Sequence, residues 1–266
     1  MARLKTAWIL LAVLMVVFLA LGWAMAAGLT DGFDRRLVLA LRRPEDLAIP
    51  IGGKGVREAV RDITALGGTL LVVLLTVSTA LLFGVLRQGR RAGILMAAVG
   101  LSWLASDLGK VLYDRPRPDI VSHVVYVASA SFPSGHATHA AALYLTLAAM
   151  VAGLAKVREV SVVAYGLALL ITIGVAFSRV YLGVHYPSDV LAGCVLGAAC
   201  ALLGWMTLYP LRGRVETARR CRRCATKRSS LGARTRARRV SEWTSHDPRN
   251  STEMTAGTVA LANRWA

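Results

Sequence analysis

Long uncharged apolar runs alternate with short charged links along this chain. Six runs, at residues 7–28, 64–86, 92–113, 137–155, 160–178 and 190–209, approach or exceed the roughly 20 helical residues that cross a hydrocarbon core. Gly, Ala, Ser and Thr recur inside them, as expected where membrane helices pack closely. The pattern predicts an all-α fold, a polytopic membrane protein built as a six-transmembrane-helix bundle over residues 1–209. Residues 210–266 follow as a basic cytoplasmic tail. Burying the same helices inside a soluble core would leave too little polar surface to cover them.

Composition sharpens this reading. Apolar residues make up 55% of the chain although its formal charge is +17, and the Arg residues collect in short links and the tail. The first run follows Met1-Ala-Arg-Leu-Lys5 and ends near Ala24-Met-Ala26-Ala27, like a secretory signal. Its apolar part exceeds the roughly 7–15 residues of a signal core, so an uncleaved signal anchor is predicted.

Counting basic residues assigns topology. Arg3, Lys5, Arg87, Arg90, Arg91, Lys156, Arg158 and the tail fall on one side, which predicts cytoplasmic termini. The 29–63, 114–136 and 179–189 links fall on the other side. The 29–63 link carries seven cations and six acids, which weakens the asymmetry without reversing it. Its stretch from Phe33 to Arg43 is amphipathic and could lie in the membrane interface or serve as a solvated connection.

Three polar clusters on that outer side hold the candidate chemistry: Lys110-x6-Arg117-Pro118, Pro133-Ser134-Gly135-His136, and Ser178-Arg179-x5-His185-x3-Asp189. Ionisable groups beside membrane spans are costly and mark function by default. Lys110, Arg117 and Arg179 can neutralise a phosphate and the charge of its transition state, Arg by gripping two oxygens. Ser134 occupies a helix N-cap position, where free amides suit an anion. Gly135 admits the ligand close to the backbone, and His136 stands ready for proton transfer. Pro187 fits the first turn of the last helix. Asp189, about one turn from His185, can hold one imidazole nitrogen protonated and leave the other nucleophilic. Each cluster alone also fits interfacial anchors, an ordinary capped helix or a structural His–Asp pair.

In order and spacing the clusters match the three-part signature of the type 2 phosphatidic acid phosphatase family, which this chain resembles over roughly residues 60–209 without substitution of a motif residue. The resemblance implies a lipid phosphatase. By position, His185 would attack phosphorus and form a phosphohistidine, charge-stabilised by Asp189. His136 would protonate the leaving oxygen and then activate water. Lys110, Arg117, Ser134, Gly135 and Arg179 would bind phosphate oxygens. It implies no metal and no cofactor. Substrates would be lipid phosphates or diphosphates, such as phosphatidate, polyprenyl diphosphate or phosphatidylglycerol phosphate, reached from the exterior or periplasmic face of a bacterial inner membrane. A lipid phosphotransferase and a non-catalytic membrane scaffold are the competing classes.

Other residues have weaker claims. His139 is expected to pack within the bundle, His123 to face solvent, Asp107 to pair with Lys110, and Asp62 and Thr64 to cap the second helix. Cys221 and Cys224 lack a second ligand pair for zinc and are expected reduced, with palmitoylation an option. Residues 212–239 hold twelve Arg or Lys and one acid, Glu216. That block suits anionic lipid headgroups better than nucleic acid, which is not expected as a partner. From Ser241 on the sequence is mixed and polar, and disorder is expected.

Overall fold

None of the eight prolines, at 44, 50, 116, 118, 133, 187, 210 and 248, falls inside an apolar run, so each run can propagate as a helix. The computed structural model describes residues 2–119, 129–155 and 157–207. Within them lie α1 (Ala2–Ala26), α2 (Asp31–Ala40), β1 (Arg42–Arg43), β2 (Asp46–Pro50), α3 (Gly53–Ala65), α4 (Thr69–Val85), α5 (Gly89–Tyr113), α6 (Gly135–Ala155) and α7 (Arg158–Tyr181). A last helix, α8 (Pro187–Thr207), completes the bundle. The chain divides into two units, and Met1–Leu211 contains every described residue. The expectations for His123, the basic tail, Cys221 and Cys224 lie outside the described residues.

The fold is an all-α membrane bundle. Five helices, α1 from Leu4, α5, α6, α7 and α8, are each long and apolar enough to cross, and the α3–α4 pair, bent by 42°, supplies the sixth crossing if counted as one. Large apolar side chains point outward where a water-soluble protein would hide them: Leu70, Val85 and Val111 are each about four-fifths exposed. Such surface requires hydrocarbon around it. In the span of α6, 67% of residues are buried against 17% for α1 and α7, so α6 is the bundle's central helix. Small residues let α8 approach it. A Cβ on Gly193 would fall 2.6 Å from the Ser134 carbonyl oxygen, and one on Gly197 would collide with the Thr138 carbonyl.

The second run differs from the prediction. Instead of one helix from residue 64, the chain breaks at Leu66-Gly67-Gly68. The Leu66 carbonyl, freed from the helical ladder, accepts a hydrogen bond from Tyr144 Oη at 2.8 Å. Gly67 packs so tightly that a Cβ would lie 2.5 Å from Val175 and 3.0 Å from the His136 carbonyl oxygen. Asp62 is exposed inside α3 and Thr64 lies near its end. Neither caps a helix, and Thr64 serves the site instead.

The 29–63 link is more ordered than a solvated connection. In α2, Asp34 and Val38, one turn apart, are fully buried, and Val38 packs with Ala137, Ala176, Val180 and Val190. The β1–β2 hairpin follows, and Arg42 Nη2 donates to the Tyr181 carbonyl at 3.1 Å. This link therefore packs on the bundle end where α6 begins and α7 stops.

Candidate active site

Helix termini bring the three clusters together. The ends of α5 and α7 and the starts of α6 and α8 meet at one end of the bundle. Asp114 ends α5 in the left-handed region at φ +36°, turning the chain into Arg115-Pro116-Arg117-Pro118. Gly183, at φ +77°, ends α7. There Val184 N–H bonds the Arg179 carbonyl and Gly183 N–H bonds that of Val180, a glycine-dependent helix stop. That stop carries the chain from Arg179 to His185. At the start of α8, Asp189 Oδ2 accepts the Tyr186 backbone N–H at 2.8 Å, a reciprocal cap at the third helical position.

His185 is 2% exposed. Its Nδ1 lies 3.6 Å from Asp189 Oδ2, too far for a hydrogen bond. Ser131 bridges the gap: its Oγ donates to Asp189 Oδ2 at 2.5 Å and lies 3.3 Å from His185 Nδ1. With its one proton given to Asp189, Ser131 accepts from Nδ1–H. On the ring's other side, Arg117 Nη1 stands 3.2 Å from Nε2. A guanidinium only donates, so Nε2 carries the lone pair. Both neighbours assign the same tautomer. Burial pushes the His185 pKa down to about 4, opposed by Asp189 and reinforced by Arg117 and Arg179. The imidazole is neutral at physiological pH.

Arg117 also donates to the Ser129 carbonyl at 2.7 Å and to the Val184 carbonyl at 2.6 Å, which tie the first cluster to the segment before α6 and to the third cluster. Arg179, 3% exposed, donates to Thr64 Oγ1 at 3.2 Å, and its Nε has no partner among the described residues. Ser134 N–H bonds the Asp189 carbonyl at 3.0 Å. The Ser134 hydroxyl is buried and also without a partner among the described residues. Ser134 thus holds the N-cap position, but its hydroxyl bonds no helix amide and stays available to a ligand. Lys110 pairs with Asp107 at 3.3 Å, as expected, and its Nζ reaches the open side of Gly135. His136 lies within electrostatic reach of Arg179, His185, His139 and Lys110. All eight sequence-predicted site residues therefore gather around the start of α6.

Three residues that sequence reasoning passed over complete the arrangement: Ser131, Arg115 and Asp34. Arg115 is 7% exposed and Asp34 is fully buried. Arg115 Nη1 donates to Asp189 Oδ1 at 2.6 Å and to Ser188 Oγ at 2.7 Å, and its Nη2 donates to Asp34 Oδ2 at 2.8 Å. Asp34 also accepts from Ser188 N–H at 2.9 Å and from Ser188 Oγ at 2.6 Å. The guanidinium sits 4.3 Å from the Tyr186 ring centroid. Burial opposes its charge, but Asp189 and Asp34 more than offset that and hold its pKa above the ordinary value. The network fixes the carboxylate that faces His185. The only hint of Asp34 in the sequence is its one-turn spacing from Val38 in an amphipathic stretch.

A polytopic helical membrane protein with cations, two histidines and a helix N-terminus converging at one end belongs to the class of membrane phosphate-handling enzymes. Comparison with known proteins agrees. Residues 91–212 match the PAP2 superfamily. Phosphatidylglycerophosphatase B of Bacillus subtilis is 34% identical over 154 residues, covering 56% of this chain and 74% of that protein. Undecaprenyl-diphosphatase BcrC of the same organism is 33% identical over 124 residues, 44% of this chain and 58% of that one. The crystal structure of a transmembrane PAP2 type phosphatidylglycerolphosphate phosphatase from B. subtilis superimposes with a TM-score of 0.64 at 28% identity, covering 73% of this chain and 93% of that chain. The chain belongs to the PAP2 superfamily, and its relatives are lipid phosphate hydrolases.

Proposed function

We propose that this protein hydrolyses lipid phosphates or diphosphates at the outer membrane surface through a phosphohistidine on His185. The observation that carries the reading is the lone pair on His185 Nε2, set from both sides by Ser131 and Arg117. Substrate phosphate would enter among Arg117, Arg179, Lys110, Ser134 and the amides that open α6, taking the Arg117 guanidinium off Nε2. The Nε2 lone pair then attacks phosphorus, the bond from phosphorus to the lipid oxygen breaks, and that oxygen takes a proton from His136. Asp189, through Ser131, stabilises the ring as it gains positive charge. In the second step His136 removes a proton from water, the hydroxide attacks phosphorus, and the N–P bond breaks to release inorganic phosphate. The site would face the exterior or periplasm, because Arg87 in the α4–α5 link, Arg90 and Arg91 in the first turn of α5, and Arg158 at the start of α7 lie at the opposite end of the spans.

The test is phosphate release by purified protein in excess EDTA, from phosphatidate, phosphatidylglycerol phosphate and polyprenyl diphosphate in parallel. Release survives the chelator. Followed against pH, kcat/KM carries an enzyme acid limb below pH 5. His185 must be neutral to attack, and its pKa of about 4 means that this requirement fails only as pH falls through that value. The substrate's own second ionisation, at about 6, is divided out first. An enzyme limb at about 6.5, the ordinary histidine value, would contradict the buried neutral nucleophile.

A further inference from the structure

Below the phosphate site, one turn deeper between α5 and α6, Ser106 and His139, which the hydrolytic steps leave unused, join Lys110 in a second polar cluster. Lys110 and Ser106 share a face of α5 at four-residue spacing, and Gly135 and His139 do so on α6. They meet at Gly135: a methyl placed there would lie 3.4 Å from His139 Nε2 and 3.5 Å from both Lys110 Nζ and Ser106 Oγ. Ser106 is fully buried, and its hydroxyl has no hydrogen-bond partner among the described residues. A buried hydroxyl without a partner costs stability, and a ligand oxygen at Gly135 would satisfy it. His139 is 6% exposed and held in place. Its ring stacks on Trp103 at 4.4 Å between centroids, and Nδ1 lies 3.0 Å from Ser102 Oγ. Ser102 gives its proton to the Val99 carbonyl at 2.7 Å, so it accepts from Nδ1–H, and Nε2 is turned toward Gly135. His139 thus packs in the bundle as expected, yet presents its far nitrogen to the site.

We propose that Ser106 and His139, with Lys110 shared between the two phosphates, form a subsite for the second phosphate of a lipid diphosphate, the one that departs still attached to the lipid. The inference rests on the hydrolytic reading above and names its substrate class. The lipid chain must run from the scissile phosphate at the helix ends into the hydrocarbon, so the next group along the substrate lies deeper, beside this cluster. For a diphosphate that group is a phosphate. An ammonium and a hydroxyl match its anionic oxygens, and the His139 Nε2 lone pair accepts from the P–OH that this phosphate carries once His136 has protonated the bridging oxygen. His136, the proton donor of the hydrolytic reading, would protonate the oxygen that bridges the two phosphates.

The test uses Ser106→Ala and His139→Phe, the second keeping an aromatic ring against Trp103. For polyprenyl diphosphate, kcat/KM falls at least about tenfold in each variant, the loss of one hydrogen bond to a charged group, while phosphatidate hydrolysis stays within about twofold. The Ser106→Ala melting temperature stays within about 2 °C of the parent or rises. Equal losses on both lipids, no loss on either, or a loss confined to phosphatidylglycerol phosphate would overturn the subsite. That last result would assign the cluster to glycerol hydroxyls. Failure of the hydrolytic reading is distinguishable, because the unaltered protein would then release phosphate from none of the lipids.

Discussion

Replacing His185 with alanine will lower phosphate release by at least about 10⁴-fold from every lipid the protein accepts, as expected when a nucleophile that defines the pathway is removed. The ring touches Ser131 on one side and Arg117 on the other, and alanine keeps the backbone that ends α7. Binding is expected to survive, because Arg117, Arg179, Lys110 and Ser134 remain. A product such as inorganic phosphate should therefore still bind to the variant. A variant that kept a tenth of the activity would show that His185 is only a neighbour of the reacting atoms.

The second large effect concerns Arg115. Its guanidinium joins Asp34 on α2 to Asp189 on α8 within a region almost closed to solvent. Arg115→Leu leaves two buried carboxylates without their cation. Breaking a buried ion pair by removing one partner costs about 3–5 kcal/mol, enough to depress the melting temperature by roughly 10 °C in a chain of this size. Asp34→Asn in the same background removes one of the uncompensated charges and should recover part of the loss. Activity follows the same order, because Asp189 loses the contact that aims it at Ser131 and His185. Thermal unfolding in detergent, with kcat measured below the transition, separates the two effects. A variant melting within about 2 °C of the parent would show that the network bears little of the structure.

The crossings were legible because bilayer thickness imposes one length on every helix, and five of them stand close to where hydropathy put them. The α3–α4 bend was not legible. Thr64 to Leu86 reads as one apolar run, and only the packing of Gly67 against Val175 and His136, with Tyr144 capturing the Leu66 carbonyl, breaks it. The candidate site was legible where charge stands out against hydrocarbon, as at Lys110, Arg179 and His185. Where charges crowd together the sequence is mute. Asp114-Arg115-Pro116-Arg117 offers two arginines, and which one meets Asp189 depends on the left-handed turn at Asp114. Asp34 is one of six acids in a link whose seven cations they nearly balance. Ser131 and Ser106 are neutral, and serine is common in membrane helix packing, so only the unpartnered or bridging geometry singles them out.

Rapid quenching of the protein during turnover of a radiolabelled lipid phosphate traps the proposed covalent step at His185. The expected result is protein-bound phosphate that is acid-labile and alkali-stable, maps to the peptide carrying His185, and forms at least as fast as inorganic phosphate appears. Full turnover with no protein-bound phosphate, or with label on another residue, would contradict it.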